Sequence, residues 1–186
     1  MISISDPRHF FYESLREALL RLHLKVEDWT EFYLVELCVR QIFNPVSVDP
    51  LVFQMIEATE CSVDDAFSLW RDMGDSALVQ AGFYDSNLSQ RGIARSYVVQ
   101  MGGHAYSLAS VRARDGRGDV YATLAREFAA FARALNEVHE QTHLRTPQDI
   151  VKLYESWSRT KSSSSMERLH ALGINPGWED NSGGES

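Results

Sequence analysis

Apolar residues along this chain recur at spacings of three and four, and no stretch alternates apolar with polar positions long enough to make a strand. The clearest case is Val120, Leu124, Phe128, Phe131, Leu135 and Val138, whose steps of 4, 4, 3, 4 and 3 lay one apolar stripe along a helix. The pattern predicts that helix from Val120 to about His143. Upstream, Asp6 as cap and Pro7 at the first helical position open a helix to about His23, with Phe10, Leu15, Leu19, Leu20 and Leu22 on its apolar side. A second runs from about Glu27 to Phe43 and is apolar over more than half its girth through Trp29, Phe32, Leu34, Val35, Cys38 and Ile42. Asn44-Pro45 ends it, because a residue before proline is pushed out of the helical region.

A short helix follows from about Pro50 to Thr59, with Leu51, Val52, Met55 and Ile56 inward. Ser62 then caps a helix carrying Ala66, Phe67, Leu69, Trp70 and Met73, which Gly74 is expected to end. Asp75 caps a further short helix through Tyr84 on this reading, and DSNLSQ is a turn. A long helix from about Gln90 to Arg114 holds Gly102-Gly103 in its interior. Two interior glycines cost a helix about 2 kcal/mol relative to alanine, and a second helix crossing very close is the simplest compensation. Thr146-Pro147-Gln148-Asp149 restarts the chain as a variant capping box, with Ile150, Leu153, Tyr154 and Trp157 on the inward face.

These elements predict an all-α protein, a single compact antiparallel bundle of seven to nine helices. Residues 1–160 form the helical domain, and 161–186 hold a flexible Ser-rich hinge, a short helix and a disordered acidic tail. The helices over 90–114 and 120–143 should be antiparallel neighbours, since only a five-residue turn joins them.

Composition narrows the setting. A net charge of -8 with a pI near 5.2, and basic residues that do not cluster, argue against nucleic acid. The first residues carry no signal-peptide pattern, and no segment is long and apolar enough to span a membrane, so a reducing cytoplasmic setting is expected. Cys38 and Cys61 make neither a metal spacing nor a disulfide framework, and Cys38 reads as a small buried hydrophobe.

Taken in order, EFYLVEL, LWRDMGDSAL with AGFY, SYVVQMGGHAYSLA, LYESWSRT and ERLHALGINP resemble a bacterial family of helical proteins without an assigned function. The resemblance covers about residues 27 to 175 and rests on a Gly-Asp, a following Gly-Phe, a Gly and Ala-Tyr in a Tyr-rich helix, and Leu-Tyr-Glu-x-Trp. It implies one helical domain in a bacterial cytoplasm, and brings no activity, cofactor or partner with it.

Several strings invite chemistry. His139-Glu140-Gln141-Thr142-His143 is an HExxH, which sets two imidazoles on one helical face for Zn²⁺ with Glu140 as base, and Asp149 stands ten residues after His139 as a third ligand. Thr146 stands where such enzymes turn on glycine, and Asp149 already serves a cap, so no cofactor is expected. Glu140 with His143 and Glu167 with His170 repeat the ExxH of di-iron bundles, a chemistry that also needs inward glutamates on two other helices, but the first string lies at a helix terminus and the second beyond the Ser-rich break. Tyr97, Met101, His104 and Tyr106 flank the glycine pair and are candidates to line a small ligand pocket. Arg71, Asp72 and Asp75 around Gly74 read as helix-terminal charges.

The expected function is therefore that of a non-enzymatic adaptor or regulator that binds another protein or a second copy of itself. Tyr154, Trp157 and Trp178, beside the Ser-rich hinge, are the candidate anchors. A metal-dependent hydrolase at residues 139–143 and a small-ligand-binding bundle are the alternatives.

Overall fold

In the computed structural model, residues 7–43, 50–60, 62–114, 116–141, 147–161, 165–166, 169–170 and 174 are described. Among them lie nine α-helices and no strand: α1 (Pro7–Arg21), α2 (Asp28–Phe43), α3 (Leu51–Glu60), α4 (Val63–Phe83), α5 (Asp85–Gln90), α6 (Arg95–Ser110), α7 (Gly118–Arg126), α8 (Phe128–Gln141) and α9 (Pro147–Thr160). The all-α expectation holds. No helix among the described residues is long and apolar enough to cross a membrane.

α4 is the organising element. It packs most extensively on α6, and also against α8 and α3, while α7 lies along α6 and α1 packs between α2 and α8. Its residues from Met73 to Phe83 are all buried. Ser62 starts it, the hydroxyl accepting the Asp65 N–H at 3.4 Å. The sequence expectation that Gly74 ends this helix is not met: α4 continues through Gly74 without interruption. The reason is a ring. A β-carbon on Gly74 would sit 2.6 Å from Cδ1 of Tyr106, so glycine here admits a side chain from α6 and does not mark a stop.

The crossing expected at the glycine pair is present, and Gly102 alone carries it. A β-carbon there would lie 2.6 Å from the Ala77 Cβ and would overlap the Phe128 ring. At Gly103 the nearest atom is the Ala125 carbonyl oxygen at 3.5 Å, an ordinary contact. Gly82 repeats the device on α4, where Leu135 of α8 takes the space.

Three further boundaries differ from the sequence reading. DSNLSQ is helix α5, not a turn, and the glycine-pair helix starts only at Arg95. The Val120 stripe is divided between α7 and α8, because Glu127 leaves the helical region at φ -101°, ψ 18°. Periodicity cannot reveal that break, since the stripe keeps its step across it. On α2 the buried face is Leu34, Val35, Leu37, Cys38 and Val39, whereas Trp29 and Phe32, expected in the same stripe, are 69% and 54% exposed. Likewise Leu20 on α1, and Val52 and Ile56 on α3, face outward. Cys38 is fully buried as expected, and burial pushes its thiol pKa up; Cys61 lies outside the described residues.

At the carboxyl-terminal end, Val151 of α9 packs on the main core. Trp157, Leu169 and Ile174 form a small separate cluster with Leu153 and Met166 against it.

Candidate functional site

The densest polar arrangement in the core is built on Asp75, and it corrects the reading of this residue as a helix cap. Asp75 lies in the interior of α4, 3% exposed. Its Oδ1 accepts hydrogen bonds from the hydroxyls of Tyr33 at 2.6 Å and Tyr106 at 2.7 Å. Its Oδ2 accepts from Arg40 at 2.9 Å. Tyr33 and Arg40 are seven residues apart on α2, two helical turns, so they share a face. One carboxylate thus joins α2, α4 and α6.

The sequence around it makes this arrangement. Gly74 clears the space in which the Tyr106 ring lies on α4, and the next residue catches the ring's hydroxyl. Tyr121 of α7 closes the aromatic wall, edge-on to Tyr33 at 5.5 Å and to Phe67 at 5.4 Å. Burial raises the pKa of Asp75 above its ordinary value, opposed by Arg40, Tyr33 and Tyr106. The phenols of Tyr33 and Tyr106 are both driven above theirs, by burial first and by the adjacent carboxylate next. They therefore remain donors, and the carboxylate has three of its lone-pair sites occupied.

A second acid stands in the opposite condition. Glu31, in the first turn of α2, is 7% exposed, and its Oε1 is buried without a hydrogen-bond partner. The Arg16 Nε lies 3.9 Å from it, beyond hydrogen-bonding range. Glu31 lines a cleft of about 380 Å³ between α1 and α2, together with His9, Tyr12, Asp28, Phe32 and the pair Arg8–Glu36, which is closed at 2.6 Å. The exposed Phe32 of this lining also meets the exposed Trp29 edge to face, with centroids 6.2 Å apart.

The residues singled out around the glycine pair do not converge on one pocket. Tyr106 belongs to the Asp75 centre, His104 is exposed with its ring edge-on to Trp70 at 6.2 Å, and Met101 packs against the core. Tyr97 lines a different cavity, beside Gln80. Of the HExxH string, His139 is half-buried with its ring edge-on to Phe83 at 5.7 Å. His143 and Trp178 lie outside the described residues, as does the side chain of Asp149. Among the described residues no group of three His, Cys, Asp or Glu could hold a metal ion. Tyr154 is 45% exposed, while Trp157 is 2% exposed beneath Leu169 and Ile174 and offers no surface for docking. Arg71, read as helix-terminal, is interior to α4 and pairs with Asp72 at 2.7 Å.

Sequence reasoning missed Tyr33, Arg40, Glu31 and Gln80. The available signal was a polar residue set in an apolar run, as with Glu31 in WTEFYLV and Gln80 in ALVQAGFY. No family model, no curated protein and no solved structure matches this chain.

Proposed function

We propose that this chain is a non-catalytic binding protein that docks a protein partner at the cleft between α1 and α2, with a partner's arginine reaching Glu31. The observation that carries this reading is the buried Glu31 Oε1, which has no hydrogen-bond partner and belongs to a residue lining a cleft large enough for a side chain. A buried acceptor left unpaired is costly, and an incoming guanidinium relieves that cost. Its planar face also suits the Phe32 ring that lines the same cleft. The exposed Trp29 and Phe32 supply an apolar rim of the residue types that anchor interfaces. The acidic neighbour Asp28, and a chain charge of -8, favour a basic segment.

Binding is favoured over catalysis by the state of Asp75. A carboxylate that is 3% exposed and already accepts from two phenols and a guanidinium is out of a substrate's reach.

The test is fluorescence polarisation with a peptide library that fixes one central arginine between apolar residues, each peptide paired with its citrulline counterpart. Selected arginine peptides should bind saturably, weaken as salt rises, and lose about tenfold or more in Glu31→Gln and in Trp29→Ala. Equal binding of the citrulline peptides, or unchanged affinity in both variants, would overturn the proposal.

A further inference from the structure

Two arginines of α1 lie near two acids of α2, and only one of these pairs is closed. Arg8 reaches Glu36 at 2.6 Å. Arg16 stops at 3.9 Å from the Glu31 Oε1, which is left without a hydrogen-bond partner. Access to water does not explain the difference, because the two arginine side chains are 57% and 59% exposed.

Arg16 is held by Tyr12, one helical turn earlier on α1. Its Nη1 donates to the Tyr12 hydroxyl at 3.2 Å, and its guanidinium carbon lies 5.4 Å from the centroid of the same ring, within cation–π range. To bond Glu31, the Nε would have to advance by roughly 1 Å, to the usual separation of about 2.9 Å. That move leads toward an acid whose side chain is more buried than that of Glu36, and strips water from the guanidinium. Tyr12 offers Arg16 its contacts with no such desolvation.

We infer that Tyr12 is a positioning residue that keeps Arg16 off Glu31 and so leaves this carboxylate open to a partner's arginine, an inference that rests on the docking role given to the cleft. With Arg16 closed on Glu31, an incoming guanidinium would first have to displace it. With Arg16 on Tyr12 the acceptor is available, although Arg16 remains a like charge beside it and weakens the attraction. Tyr12 and Arg16 together therefore set how tightly the cleft takes an arginine.

The experiment is NMR of the full-length chain, first alone and then titrated with N-acetyl-arginine amide, with N-acetyl-citrulline amide as the uncharged control. Arg16→Met, which keeps the stem and removes the charge, identifies the Arg16 Nε–H signal by its loss. In the chain alone, Tyr12→Phe removes one hydroxyl and should move that signal downfield and slow its exchange with water, as Arg16 closes on Glu31. Adding Glu31→Gln should reverse both changes. In the titration, Tyr12→Phe should weaken the arginine probe by about threefold or more, and Arg16→Met should tighten it by a similar factor. In the Arg16→Met background Tyr12→Phe should have no effect, which a merely structural role for the tyrosine would not produce. An Arg16 signal unmoved by Tyr12→Phe, a shift that persists with Glu31→Gln, or an equal loss of affinity with and without Arg16 would overturn the inference. No binding of the arginine probe by any variant, with the Arg16 signal behaving as expected, would remove the docking reading and leave the role of Tyr12 standing.

Discussion

Asp75 and Glu31 are both acids more than nine-tenths buried, and they differ in what meets them. Asp75 receives three donors from two other helices, whereas Glu31 Oε1 receives none. A buried charge with its donors in place is part of the scaffold, and removing it strands its partners. One without donors contributes little to the fold and has acceptor capacity left for something that arrives later. Burial alone therefore does not tell structural acids from receptive ones; the donor inventory does.

The sharpest way to break that contrast is truncation at both positions. Asp75→Ala leaves two phenol hydroxyls without their acceptor while the half-exposed Arg40 turns to solvent, and should cost about 2–4 kcal/mol in urea denaturation. Glu31→Gln gives up an ion pair at 3.9 Å to the exposed Arg16 and should cost no more than about 1 kcal/mol. Similar losses in the two variants would end the distinction.

The glycine pair allows the same comparison one residue apart. Gly102→Ala puts a methyl into Phe128 and Ala77 and should lower stability by about 1–3 kcal/mol. Gly103→Ala meets only ordinary contacts, and the better helix former should raise stability by about 0.5–1 kcal/mol. Paired thermal melts settle the signs. A loss at Gly103 equal to that at Gly102 would mean that both residues sit in the crossing.

The smallest effect lies in the pH dependence. Because the folded state raises the pKa of Asp75 above its ordinary value of 3.8, the native protein holds that proton more tightly than the unfolded chain. The contribution of this group is therefore fully present below the ordinary value and declines as pH rises through the raised one. The stability of the native protein relative to Asp75→Asn, followed by denaturant titration from about pH 4 to about pH 7, should fall as pH rises. A relative stability that climbs with pH would mean that the donors outweigh burial.

Much of the fold was legible because helices announce themselves locally. Pro7 opens α1, Ser62 caps α4, and the spacing from Val120 to Val138 marks the α7–α8 stripe without any knowledge of what it packs on. The Asp75 centre was not legible, because its partners Tyr33 and Tyr106 lie 42 and 31 residues away in sequence. Gly74-Asp75 also has the local form of one helix stopping and another starting, and only the Tyr106 ring shows why the glycine is there. Trp29 and Phe32 fail differently. An apolar stripe that wraps more than half a helix cannot tell which part meets the core and which is left for solvent or for a partner.

Glu127 acts as a joint. A rod carrying the whole stripe from Gly118 to Gln141 would have one axis, and every side chain on it would be aimed by that axis. With a single residue out of helical geometry, the front section brings Tyr121 to the Tyr33 and Phe67 rings, while the rear section places Phe128 over Gly102 and Leu135 over Gly82. Straightening it would couple two alignments that the chain now sets separately, so that improving the fit of either end would disturb the other.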